Sequence, residues 1–316
     1  MSATKIECAE ESWSPVTGCT PISEGCANCY AKRMAQRLRG RFGYPADDPF
    51  RVTLHEDRLD DPLYLGWGKP RRVFVCSMSD LFHDDVPDQF IKQVLWQAFT
   101  APKHRFLVLT KRPRRMRAFF TSGRLSRRRA GDPCRNLWLG VSAENQARAD
   151  ERIPILLQIP AAVRFVSYEP ALGPVDFTRV LDVPAGMSID ALRGDRRHHI
   201  GCDEGGRAMF ESVADHISTK LDWIIAGGES GPGARPAHPD WFRRVRDDCE
   251  AAGVPFFFKQ WGAWTPESGR DWHESEVHAW PDGTRMYRHG AELKVRGRHR
   301  LLDGREWNEY PEEATR

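Results

Sequence analysis

The sequence has no apolar run approaching the roughly 18 residues a membrane-spanning helix needs. The stretch Met1–Glu11 carries no basic-then-apolar leader either. Both absences predict a soluble, cytoplasmic protein with no membrane partner. Charge of one sign is equally scarce, since 47 Lys and Arg stand against 44 Asp and Glu for a formal +3. A chain so balanced does not bind nucleic acid through bulk charge, so any such binding has to come from a local cluster. A disulfide framework is missing as well. Eight cysteines in 316 residues, three of them bunched, suit metal ligation in a reducing compartment better than cross-linking. The length allows one large α/β domain or two smaller ones, with a proper core in either case.

The bunched cysteines lie in Gly18-Cys19-Thr20-Pro21-Ile22-Ser23-Glu24-Gly25-Cys26-Ala27-Asn28-Cys29-Tyr30, a Cys-x6-Cys-x2-Cys spacing. Glycine and proline predict a tight loop able to turn three sulfurs toward one point. Ala31, Met34, Ala35 and Leu38 then repeat at helical spacing, so the loop feeds a helix whose free N–H groups favour anionic thiolates. A structural zinc site closes with four protein ligands, yet no second CxxC or HxxxH pair follows at finger spacing. A cubane iron–sulfur cluster on three cysteines leaves one iron free for a small molecule. Bare thiols and zinc with a distant fourth ligand are the rival readings. Cys76, Cys134, Cys202 and Cys249 are scattered, and Cys249 falls on an apolar helical face with Trp241, Phe242 and Val245.

A strand candidate at 11–16 leads into this loop, and residues 40–70, rich in Gly, Pro and Asp, read as a connection. A rhythm of short apolar runs then begins at Val73, Phe106, Leu137, Val163, Trp223 and Pro255, most of them followed by a helical or Pro/Gly segment. Two of those helices are explicit: one with Phe90, Ile91, Val94, Leu95, Ala98 and Phe99 on a face, and one over 240–252 between Pro239 and Gly253. The pattern predicts an α/β fold, a partial TIM-type (βα)6-7 barrel, with an open doubly wound sheet as the alternative. The expected division is a barrel over 1–262, with 176–220 inserted in a crossover, and a C-terminal extension over 263–316 packing on the barrel.

Asp80, Lys111, Glu144, Glu169, Glu229 and Lys259 each stand just past the carboxyl end of an apolar run. In a barrel those positions open on one mouth, where active sites are built. Each taken singly reads as a salt-bridged rim residue, but six at equivalent places favour a common site. Residues 111–129 carry nine Lys and Arg with Phe119 and Phe120 interleaved. That stretch reads either as a phosphate-tracking, base-stacking surface or as a solvated loop. His198, His199 and Cys202 form a weak second metal candidate beside the plainer reading of a surface loop.

Several segments together resemble a known family: Trp13–Cys19, Gly25–Ala31, Ser77–His83, Leu109–Pro113, Leu139–Asn145, Gly227–Gly231, Phe256–Gly262 and Leu302–Trp307. It is a phage- and prophage-encoded three-cysteine family of unknown function that looks like a divergent branch of the radical S-adenosylmethionine superfamily. The resemblance implies a [4Fe-4S] cluster on Cys19, Cys26 and Cys29, with S-adenosylmethionine chelated to the fourth iron. One electron, from a donor such as flavodoxin or ferredoxin, would then release a 5′-deoxyadenosyl radical that abstracts hydrogen from the substrate. It also implies cofactor contacts at Ser77, Ser79 and Asp80, and ribose or substrate contacts at Glu144 and Glu169. Glu229, Lys259 and Lys111 are the candidates for handling substrate. The chain departs from the superfamily in its longer first cysteine gap and in Asn28, which stands where an aromatic is usual.

The expected activity is a radical enzyme acting on a nucleic-acid base, in DNA modification or lesion repair, with DNA or a nucleotide as partner. A metal-stabilised binding protein without turnover and a radical enzyme on a small molecule or peptide are the alternatives.

Overall fold

The computed structural model describes residues 2–4, 6–62, 69–122, 134–182, 186–202, 208–216, 219–266, 276–288 and 298–312. Seven strands form its main sheet: β1 (Glu11–Trp13), β2 (Arg72–Val75), β3 (Arg105–Thr110), β4 (Leu137–Ser142), β5 (Val163–Tyr168), β6 (Trp223–Gly227) and β7 (Phe256–Gln260). They follow one another in chain order across the sheet, and Ser2–Ala3 adds an antiparallel edge beside β1. An unbroken order is that of a partial βα barrel; a doubly wound sheet would reverse at a switch point. Every residue of β4 and β6 is buried, as a parallel strand covered on both faces requires.

Helices fill most of the crossovers: α1 (Tyr30–Arg37), α2 (Asp88–Thr100), α3 (Pro113–Thr121), α4 (Gln146–Leu156) and α5 (Pro239–Ala252). On α2 the buried face is Phe90, Ile91, Val94, Leu95 and Ala98. On α5 it includes Phe242, Val245 and Cys249, so Cys249 is a core residue. Pro239 opens α5, the His238 ring accepts from the Asp240 N–H as its cap, and Gly253 closes it at φ 64°. Between β5 and β6 no helix occurs among the described residues. That crossover carries instead a four-stranded antiparallel sheet of Val180–Asp182, Met187–Asp190, Asp195–Cys202 and Ala208–His216. The side chains of His198, His199 and Cys202 lie outside the described ones.

The chain divides into two compact units. The first comprises Met1–Val141 with Ile155–Phe165 and contains the cysteine loop and β1 to β3. Its core sets Trp13, wholly buried, edge-on to Phe106. The second comprises Ser142–Pro154 with Val166–Glu312. There the C-terminal residues lie along the last strands: Phe258 donates to the Trp307 carbonyl, Trp223 Nε1 to the Glu309 carbonyl, and the Tyr310 ring sits 5.3 Å from Trp223. No helix among the described residues is long and apolar enough to cross a membrane.

Candidate functional site

In the first unit the cysteine loop is fixed from both sides. At Gly18 the backbone turns through φ 82° and passes so close to the Arg51 carbonyl that a Cβ has no room. The Gly18 N–H donates to the Met78 carbonyl, Ser79 Oγ donates to the Gly18 carbonyl at 2.6 Å, and the Cys19 N–H reaches the Phe50 carbonyl. Ser77 Oγ lies 2.6 Å from Ser12 Oγ, tying the end of β2 to β1. Ser77 and Ser79, expected at a cofactor, are thus both engaged in holding strand and loop together.

Asp80 is the hub beneath the loop. Its side chain is almost wholly buried and accepts from the Phe82 N–H, Thr110 Oγ1 at 2.7 Å, the Lys111 N–H at 3.0 Å and Arg112 Nη1 at 3.3 Å. Arg112, itself buried, turns its fork onto the loop: Nη1 donates to Cys19 Sγ at 3.5 Å, and Nη2 to the Thr20 carbonyl and hydroxyl at 3.1 and 3.0 Å. Buried His83 completes the clamp. Its Nδ1 accepts from the Asp85 N–H, which leaves Nε2 as the proton donor to Thr20 Oγ1 at 2.7 Å. Sequence reasoning gave neither Arg112 nor His83 a role. The signal for Arg112 was a second cation directly after Lys111, but its partner Thr20 is 92 residues away, and 63 from His83, and no spacing rule links them.

The three sulfurs are half-buried and unlike one another. Burial, reinforced by Asp80 and opposed by Arg112, pushes the Cys19 thiol up to about 11. Burial also raises Cys26, but a backbone hydrogen bond at Ile22 and the charge of Lys111 outweigh it, and that thiol lies below its ordinary value. Cys29 stands at the N-cap position of α1, with no capping hydrogen bond from its side chain. Among the described residues the trio of ligand atoms gathered within 4.8 Å is His238, Asp240 and Asp282, not the cysteines. At least one pair of the three cysteine sulfurs therefore lies more than 4.8 Å apart. The His238 trio is a poor cation site, since one ring nitrogen accepts from Asp240 N–H and the other lies 3.0 Å from Asp282. Beside Cys19 opens a cleft of about 260 Å³ lined by Thr20, Lys32, Asp48, Phe50, Arg51 and Asp85.

Buried His55 makes a parallel contact, its Nε2 lying 2.7 Å from Thr17 Oγ1, and burial followed by the charge of Arg58 pushes its pKa down to about 4. An unfolded histidine takes a proton near 6.5. Between those values the unfolded chain binds a proton that the folded chain refuses, so stability is full above about 6.5 and declines toward 4. His83 shifts in the same direction, chiefly through burial and then Arg112. The unfolding midpoint is expected to fall between pH 7 and 5, and to fall less in His55→Gln; equal slopes would show that His55 is not the group responsible.

The second unit brings two predicted residues together and closes off two others. Glu169 and Lys259 pair at 2.8 Å, each about 18% exposed, with Gln260 Nε2 3.4 Å from the same carboxylate. Glu144 is wholly buried and bound to Arg152 of α4 at 2.9 Å, where Arg152 also donates to the Ser142 carbonyl. Glu229 accepts three bonds from Arg235, on the backbone N–H, Nε and Nη2. Gly228 has no room for a Cβ against the Trp261 carbonyl, which explains a glycine before this glutamate.

In the basic stretch, Arg112 and Arg115 are both turned inward, Arg115 onto the His83 and Val86 carbonyls and Asp88. Phe119 is buried, edge-on to Phe82, and is no stacking ring. The expectation for that ring fails because α3 needs it for packing against the Phe82 turn. Arg124, Arg127, Arg128 and Arg129 lie outside the described residues.

The chain belongs to the family described as a protein of unknown function, DUF5131, which matches residues 3–311. No curated protein matches it. Among solved structures it is similar to spore photoproduct lyase complexed with dinucleoside spore photoproduct, at 11% identity and a TM-score of 0.43 over 95% of this chain and 74% of that one. A single-residue mutant of spore photoproduct lyase is similar at 12% identity and a TM-score of 0.41, with the same coverage.

Proposed function

We propose that the protein is a radical S-adenosylmethionine enzyme holding a [4Fe-4S] cluster on Cys19, Cys26 and Cys29, with a nucleic-acid base as substrate. The observation that carries this reading is the clamped cysteine loop: three thiols on a rigid turn, one receiving a hydrogen bond from a buried arginine. When bound, such a cluster would supply the electron that cleaves S-adenosylmethionine to a 5′-deoxyadenosyl radical. The chain's own part is to hold and shield. Asp80 orients Arg112, and Arg112 and Ser79 keep the loop in place. The surroundings favour the thiolate of Cys26 over that of Cys19, and Cys19 would lose its proton only as a cation arrives. Glu169 and Lys259, paired and partly exposed, are the groups placed to meet substrate or the cofactor's hydroxyls, and Lys111, at the cysteine loop, is given a similar role. An external donor such as flavodoxin or ferredoxin would deliver the electron.

The test is anaerobic reconstitution with iron and sulfide, followed by dithionite, S-adenosylmethionine and an assay for 5′-deoxyadenosine. The wild-type protein is expected to bind a cluster and release 5′-deoxyadenosine, and Cys26→Ala to do neither. Zinc in place of iron, or a cluster that never cleaves the sulfonium, overturns the reading in favour of a metal-stabilised binding protein.

A further inference from the structure

Among the described residues, a basic exposed patch lies on α1 and the turn behind it. Residues 30–43 hold Lys32, Arg33, Arg37, Arg39 and Arg41 and not one Asp or Glu. Ala31 and Ala35 point into the core with Tyr44 and Phe50, so Tyr30 and Arg37 lie on the outer arc of the helix, while Lys32 flanks the cleft beside Cys19. Arg39 donates to the Ala46 carbonyl and Gln36 Oε1, and Arg41 to the Arg37 carbonyl. Those neutral acceptors steady both guanidinium groups and leave their charge uncancelled. Asp47, in the following turn, is paired with Arg51.

Two rings flank this strip. Tyr30 is 60% exposed and Phe42 72%. Phe42 is held at φ 52°, a region that bulky side chains avoid. A ring left in water gains nothing from burial that would offset the strain. Around it the turn is well anchored, with Tyr44 buried, the Phe42 carbonyl bonded by Arg58, and Gly43 packed against the His55 ring. Strain maintained by a rigid turn at an exposed aromatic is the mark of a contact site.

We propose that this face binds single-stranded nucleic acid, with the cations on phosphates and Phe42 and Tyr30 stacked on bases. The uncancelled cations of Arg39 and Arg41 match a polyphosphate, and paired exposed rings match unpaired bases more closely than they match the closed stack of a duplex. The inference deepens the nucleic-acid part of the proposed function and needs neither cluster nor cofactor.

The experiment is fluorescence anisotropy of the full chain with a labelled mixed-sequence DNA strand of about 20 nucleotides, between about 50 and 200 mM salt. Arg37→Gln, Arg39→Gln and Arg41→Gln combined are expected to lower the log–log salt slope by about 2. Phe42→Gly is expected to weaken binding about tenfold with the slope unchanged. Glycine accepts the φ of that position, so its unfolding midpoint should equal or exceed the wild-type value, which separates contact from folding. Absence of binding at the lowest salt overturns the proposal, as does loss that follows Arg114→Gln with Arg117→Gln instead. Capture of flavodoxin through the same residues, with the DNA strand ignored, also overturns it. If 5′-deoxyadenosine forms while the strand goes unbound, this inference fails and the cluster reading stands. If the strand binds through α1 and no cluster forms, the cluster reading fails and this inference stands.

Discussion

Glu144→Ala is expected to destabilise the fold by about 3–5 kcal/mol, because it strands a buried guanidinium. Arg152 is 1% exposed and Glu144 not at all, so neither charge has water to fall back on. The Ser142 carbonyl would remain as an acceptor and Glu151 would stay 3.8 Å from Nε, but a neutral oxygen and a carboxylate 43% exposed do not replace the buried partner. The unfolding midpoint should drop by roughly 5–15 °C. Replacing both partners, Glu144→Ala with Arg152→Met, should recover much of the loss, since removing a buried pair together avoids the stranded charge. This outcome would assign Glu144 to anchoring α4 on the end of β4. Full stability of the single variant, with a specific loss of S-adenosylmethionine affinity, would return it to the ribose-contact role that the family resemblance implies.

Arg112→Gln is expected to act on stability and on metal retention together. Asp80 would keep its hydroxyl and two backbone donors and lose its counter-ion. Thr20 and Cys19 would lose the guanidinium that spans them. A broken buried pair again predicts about 3–5 kcal/mol. Loss of a group orienting the ligand loop predicts iron release to a chelator from the reconstituted protein at about 10–100-fold lower chelator concentration. Arg112→Lys would restore a charge near Asp80 without the fork that reaches Thr20, so it should rescue stability more than iron retention. Iron held as tightly in Arg112→Gln as in the wild type would show that the clamp does not support the ligands.

Both predictions concern residues that look alike in sequence and differ in the fold. Six charged positions after six apolar runs suggested a single circle of site residues. Their partners differ: Asp80 organises the cysteine loop, Glu169 meets Lys259, and Glu144 and Glu229 are each bound by a local arginine. A strand end specifies where a side chain starts, whereas its partner depends on what the next helix or turn presents. Arg152 lies 8 residues after Glu144 and Arg235 lies 6 after Glu229, yet neither spacing belongs to any motif that would have flagged it. The same holds for the two basic stretches. Residues 111–129 are richer in Lys and Arg by count, but Arg112 and Arg115 serve internal carbonyls and carboxylates. The sparser run on α1 leaves Lys32 and Arg37 exposed because alanines occupy the inner face.

The local pattern of the chain determined its strands, its helices and their order. Apolar runs bounded by polar strand ends reappear as β4 and β5 with the bounds read from sequence, and α5 gains a single residue at its start. Backbone hydrogen bonding and the period of the apolar residues act over a few positions, so such elements are legible without a fold. The cysteine loop was legible for the same reason, three sulfurs among glycines and a proline within one turn. Tertiary structure decided everything that joins distant segments. It built an antiparallel sheet in the insertion whose histidines read as a surface loop, drew Arg112 and His83 onto Thr20, and turned Phe119 inward while holding Phe42 out. Burial and pairing over tens of residues are properties of the packed chain, and no period in the sequence encodes them.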